Sequence, residues 1–110
     1  MKKIILIILL TTLAFSFLNA SIYKGQRYFQ KKCLSCHGKA LKFVTEKSYN
    51  EWEEYLADDG DVMYEIHEDA DEATDSMKYF QSSKYRRSMK HFRDFFLEYA
   101  SDTGNIPACE

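Results

Sequence analysis

The chain holds a single proline, Pro107, close to its C-terminal end. Proline lacks the amide hydrogen and clashes with the preceding helical turn, so between Ser21 and Ile106 no residue forces a helix to break. Nor does any stretch in that span sustain the alternation of apolar and polar residues that marks a half-buried strand. The expected fold is all-α: a small helical domain with short loops.

The strongest helical pattern runs from about Ser83 to Ser101. Tyr85, Met89, Phe92, Phe96 and Tyr99 recur at helical spacing, with Phe95 widening the stripe, and Thr103-Gly104-Asn105 followed by Pro107 is expected to end it. A first helix is expected over about Ile22 to Leu34. There Gly25, Phe29 and Cys33 share one face, while Lys24, Arg27, Lys31 and Lys32 point to water. A glycine inside a helix costs about 1 kcal/mol relative to alanine, so Gly25 on the apolar face predicts close approach of another backbone.

Between these helices, Ser48 and Glu51 have the spacing of a capping box, which predicts a helix that buries Trp52, Tyr55 and Leu56 and stops at Asp58-Asp59-Gly60. A short helix capped by Asp61 would set Val62, Met63, Ile66 and His67 on one side. A further turn or two from Asp71 to Phe80 would align Ala73, Met77 and Phe80.

The first twenty residues have the layout of a secretory signal peptide: basic Lys2 and Lys3, an apolar run from Ile4 to Leu18, and small Ala20 at the end. Cleavage after Ala20 leaves 21–110 as one small domain, exported and periplasmic. Retention as an anchor is the alternative, although the run is short for a membrane span.

Directly behind this segment stands Cys33-Leu34-Ser35-Cys36-His37. In an exported chain, CxxCH is the attachment site of a c-type haem: two thiols form thioethers to the vinyl groups and the imidazole ligates the iron. The expected cofactor is one covalent haem c, with Cys33 and Cys36 as the thioether residues and His37 as the proximal ligand. Cys109 is then left over, either as a tail residue or as a disulfide partner for another chain. Two other chemistries compete. A thioredoxin-like dithiol normally sits in a βαβ context, which is absent from the pattern. A zinc site could draw on Cys33, Cys36, Cys109 and either His67 or His91, but its second half lacks paired ligand spacing.

The Gly25-x-x-x-Phe29-x-x-x-Cys33-x-x-Cys36-His37 pattern, together with Phe96-x-x-Tyr99 in the last helix, resembles the class I cytochrome c family. That resemblance implies N- and C-terminal helices that cross at the glycine and enclose the haem. It also implies a methionine ligand from the loop before the final helix, for which Met77 is best placed. His67, Met63 four residues before it, and His91 are the other candidates for the distal position, and Met89 lies inside the last helix as His91 does. A sulfur ligand raises the iron potential relative to a second imidazole, so the choice matters for function. The family's proline after the haem motif is missing. A backbone carbonyl within Lys39 to Val44 is expected to take over the hydrogen bond from His37.

Charge is unevenly spread. Without Lys2 and Lys3 the 15 basic residues become 13 against 17 acidic ones, a net of −4. The segment from Glu51 to Asp75 is acidic and lacks lysine and arginine, whereas Lys24, Arg27, Lys31, Lys32, Lys39, Lys42 and Lys47 surround the CxxCH motif. Lys84, Arg86, Arg87, Lys90 and Arg93 mark the last helix. Such a dipole can orient a charged redox partner before contact. Net negative charge and export argue against a nucleic-acid partner.

The expected function is a monohaem carrier that moves one electron between a donor and an acceptor redox protein, and not an enzyme. It would need haem-attachment machinery and would meet a membrane only through a redox partner or a retained signal segment. The alternatives are a haem-based ligand-binding or sensing module with an open iron position, and a permanent cytochrome subunit of a larger redox complex.

Overall fold

The computed structural model describes residues 1–106, and all regular structure within them is helical. Pro107 and Cys109, and with them the leftover thiol, lie outside the described residues, while the last helix ends at Glu98, ahead of the expected stop at Thr103-Gly104-Asn105. The elements in chain order are α1 (Lys2–Lys32), α2 (Leu34–His37), α3 (Ala40–Val44), α4 (Tyr49–Tyr55), a 3-10 turn (Asp58–Gly60), α5 (Asp61–Glu68), a second 3-10 segment (Asp71–Ser76), α6 (Met77–Phe80) and α7 (Ser83–Glu98).

Helix α1 starts much earlier than the expected Ile22, since no glycine or proline precedes Gly25 to interrupt it. Its two parts differ in environment. Ile4 to Leu10, Phe17 and Leu18 are exposed, whereas burial begins at Ser21 and Ile22. Among the described residues no helix is long and apolar enough to cross a membrane.

The packed part of α1 lies across α7 in the most extensive helix pairing of the fold. Gly25 sits at the crossing. A Cβ built there would lie 2.6 Å from the Cβ of Phe95 and closer still to the His91 carbonyl oxygen, so only a hydrogen fits. One turn later, Phe29 is wholly buried among Phe43, Phe95 and Phe96, with ring centroids 5.0, 6.5 and 6.1 Å away. One turn earlier, the Ser21 hydroxyl donates to the Asp94 carboxylate at 2.5 Å. Its single proton being used there, it accepts from Nδ1–H of His91 at 2.8 Å. The α7 stripe is buried as the sequence pattern predicts: Tyr85, Met89, Phe92, Phe95 and Phe96 all belong to the core, and Tyr99 packs on its edge.

The short helices α2 and α3 are absent from the sequence pattern, because four or five residues are too few to show a helical period. Helix α3 buries Ala40 and Val44, and the Val44 carbonyl accepts a hydrogen bond from Nε1 of buried Trp52 at 2.8 Å, tying α3 to α4.

Helix α4 has the expected capping box. The Glu51 amide donates to Oγ of Ser48 at 3.4 Å, and the Ser48 amide donates to the Glu51 carboxylate at 2.7 Å. The Ser48 amide and hydroxyl hold the Glu51 carboxyl below its ordinary range. A lowered carboxyl pKa stabilises the fold above the ordinary carboxylate range and loses that effect as pH falls through the folded value. Ser48→Ala is expected to cost about 1 kcal/mol, measured by denaturant titration at neutral pH, with the difference from the parent shrinking on acidification.

The chain leaves α4 through three consecutive left-handed residues, Asp58, Asp59 and Gly60, with φ of 54, 56 and 90°. Gly60 is the residue that precedes α5, one position before the expected Asp61 cap. It is buried against α7: Tyr85 Oη donates to its carbonyl at 2.6 Å, and a Cβ there would lie 2.5 Å from Cε of Met89. Two ion pairs bind the same acidic region to α7, Arg86 to Asp61 at 2.5 Å and Arg93 to Glu53. Beyond this anchor, α5 and the 3-10 segment Asp71–Ser76 contribute no buried residue, and burial resumes at Phe80 in α6.

Candidate functional site

Cys33 both closes α1 and opens α2. Its amide donates to the Phe29 carbonyl at 2.8 Å, and its own carbonyl accepts from the amides of Cys36 at 3.2 Å and His37 at 2.9 Å. The motif is thereby wound into one helical turn. Residues three and four positions apart share a helix face, so Cys33, Cys36 and His37 point the same way.

They open onto a cavity of about 350 Å³. Cys33, Cys36 and His37 form one wall, and Ile66, His67, Ala73, Tyr79 and Phe80 form the other. Both cysteines are free, Cys33 half-buried and Cys36 exposed. Burial, with Cys36 acting in the same direction, pushes the Cys33 thiol up to about 12. A reactive dithiol depends on a depressed pKa, so this environment opposes the thioredoxin-like chemistry, as does the absence of any strand among the described residues.

The His37 ring packs on Phe43 of α3 with centroids 4.7 Å apart. The segment Lys39 to Val44 thus touches His37 through an aromatic side chain. Burial lowers the pKa of His37, the neighbouring His67 lowers it further, and Glu46 opposes them. The imidazole is mainly neutral at neutral pH, with a lone pair available to a metal.

His67 faces His37 across the cavity, with ring centroids 5.9 Å apart. Its Nδ1 is 2.7 Å from the Met63 carbonyl oxygen. A carbonyl only accepts, so Nδ1 donates here, and in the neutral ring Nε2 carries the lone pair. The ring also stacks on Phe80 at 4.2 Å.

The other distal candidates are placed elsewhere. Met77 and the Met63 side chain are half-buried against the hydrophobic core, and Met89 is within that core against Gly60. His91 lies at the α1–α7 crossing, bonded to Ser21, where burial lowers its pKa and Lys24 and Lys90 add to the effect. Among the described residues no group of three or more His, Cys, Asp or Glu side chains is gathered to hold a bare metal ion. The zinc set drawn with Cys109 includes a residue outside that range.

A second groove, of about 430 Å³, adjoins the first and shares Lys32 and Tyr79 with it. Tyr28, Lys31, Lys84 and Arg87 complete it, so cations of α1 and α7 converge beside the CxxCH cavity. Phe80, which holds the His67 ring, was expected only as one of an aligned set with Ala73 and Met77, and Phe43, which holds the His37 ring, was not marked by any sequence motif. The one signal at Phe43 was aromatic character within a segment too short to reveal a face.

No family model matches the chain, and no curated protein or solved structure does.

Proposed function

We propose that this chain is an exported monohaem c-type cytochrome that carries single electrons between redox proteins. The observation that carries this reading is the single helical turn that turns both thiols and the His37 imidazole toward one largely apolar cavity. The residues suit the group chemically. Two thiols three residues apart can each add S–H across one vinyl group, and a neutral imidazole one residue later can ligate the iron. Haem c would supply iron(II)/iron(III) cycling.

The protein's own side chains would hold and shield it. Ile66, Ala73 and Phe80 would present apolar surface to it from one side, and Phe43 holds the His37 ring. The class I cytochrome c resemblance supports the same reading through the Gly25 and Phe29 crossing. His67 across the cavity favours a six-coordinate carrier over a sensor with an open iron. The groove of Lys31, Lys32, Lys84 and Arg87 offers a positively charged approach for an acidic redox partner. Burial that begins at Ser21 suits removal of the preceding segment after Ala20.

The test is production of the full chain beside a haem-attachment system. The expected product is red, keeps its colour in denaturant, and is heavier than the polypeptide by one haem. A colourless protein of unmodified mass overturns the proposal.

A further inference from the structure

We infer that His67, and not Met77, is the second axial ligand, which makes this a bis-histidine haem; the inference rests on the haem reading above.

Three independent features point to His67. The first is position: its ring forms the wall opposite His37, at a centroid separation of 5.9 Å. Metal–imidazole bonds run near 2 Å, which puts the centroids of two imidazoles on opposite sides of one ion roughly 6 Å apart. The second is tautomer. The 2.7 Å hydrogen bond from Nδ1–H to the Met63 carbonyl leaves Nε2 as the free lone pair, the arrangement that fixes a ligating histidine. The third is orientation, since stacking on Phe80 at 4.2 Å holds the ring plane. Phe80 is itself buried between Tyr85 of α7 at 4.8 Å and Tyr64 of α5 at 6.5 Å.

Met77 has none of these. It is packed against the core at the start of α6, and bringing its sulfur into the cavity would take it out of that packing. Met63 serves His67 through its backbone carbonyl.

The experiment compares the full haem-loaded chain with His67→Ala, His67→Met and Met77→Leu by near-infrared absorption of the oxidised form and carbon monoxide binding to the reduced form. Met77→Leu conserves volume and spares the core. The parent is expected to lack a sulfur-to-iron charge-transfer band and to resist carbon monoxide. His67→Ala is expected to bind carbon monoxide readily. His67→Met, which keeps a side chain of similar size, is expected to gain the sulfur band and a higher midpoint potential. Met77→Leu is expected to match the parent.

A sulfur band in the parent that disappears in Met77→Leu overturns the inference and leaves the haem reading intact. So does a parent that binds carbon monoxide as readily as His67→Ala, or a His67→Met protein with the parent spectrum. A parent that takes up no haem overturns both.

Discussion

Gly25→Val drives α1 away from α7 and melts the protein far below the parent. Even the first carbon of a side chain at this position would stand 2.6 Å from the Cβ of Phe95, with the His91 backbone nearer still. A flexible side chain could yield, but a carbonyl fixed within a helix cannot. The two helices must therefore separate along the crossing that buries Ile22, Phe29, Phe92 and Phe95. Overpacking of a tight core costs 1–3 kcal/mol and more where backbone is met, so a loss of about 3 kcal/mol or more is expected. For a domain of this size that corresponds to a fall in midpoint of roughly 12–24 °C, followed by circular dichroism. Lys24→Ala, its exposed neighbour on the same helix, is the control and should fall within about 0.5 kcal/mol of the parent. A Gly25→Val midpoint equal to that of Lys24→Ala would show that the crossing does not hold the fold.

The second large effect is chemical. Cys33→Ala/Cys36→Ala, produced with a haem-attachment system, is expected to have the mass of the bare polypeptide. Cys36→Ala alone should keep the added mass through one thioether, because the two thiols stand on the same turn but react with separate vinyl groups. Ser35→Ala, between them and exposed, should be indistinguishable from the parent. Mass spectrometry of the denatured proteins reads all three. The outcome also separates haem attachment from dithiol chemistry, in which the parent would lose two hydrogens to a disulfide and gain no cofactor. The Cys33 thiol, raised to about 12 by burial, already resists the thiolate state from which that exchange proceeds.

Much of the fold was legible because it depends on local rules. The Ser48 and Glu51 pair specified the start of α4 through its own side chains, and the aromatic period of α7 specified its buried face. Gly25 predicted a close crossing from its cost alone, and the crossing is there. The positions of Cys33, Cys36 and His37 on one face followed from their spacing once the segment was helical.

Other features depended on contacts distant in sequence. Helices α2 and α3 are fixed by what surrounds them, including the bond from Trp52 to Val44. The register between the distal segment and the CxxCH turn was hidden for a similar reason. It is set where Asp58, Asp59 and Gly60 turn left-handed and Tyr85 fixes the Gly60 carbonyl, and those contacts carry His67 to the cavity and leave Met77 half-buried against the core. The charge pattern was legible in outline only. The acidic segment and α7 look like opposite poles in sequence, yet Arg86 and Arg93 pair directly with Asp61 and Glu53. The basic face persists at the groove of Lys31, Lys32, Lys84 and Arg87, where Lys32 lies over the Tyr79 ring.

The wall that carries His67 has a further consequence. From Asp61 to Ser76 it buries no residue, while the wall that carries the thiols is continuous with the α1–α7 core. The two sides of the cavity thus differ in local stability. Opening the His67 side would uncover half-buried Met63 and Tyr64 but leave the helix crossing untouched, so it costs less than unfolding the domain. One wall is held by the helix crossing, and the other mainly by the Tyr85 bond to Gly60 and the Arg86–Asp61 pair. A haem bound as proposed would be fastened by Cys33 and Cys36 to the firmer of the two walls.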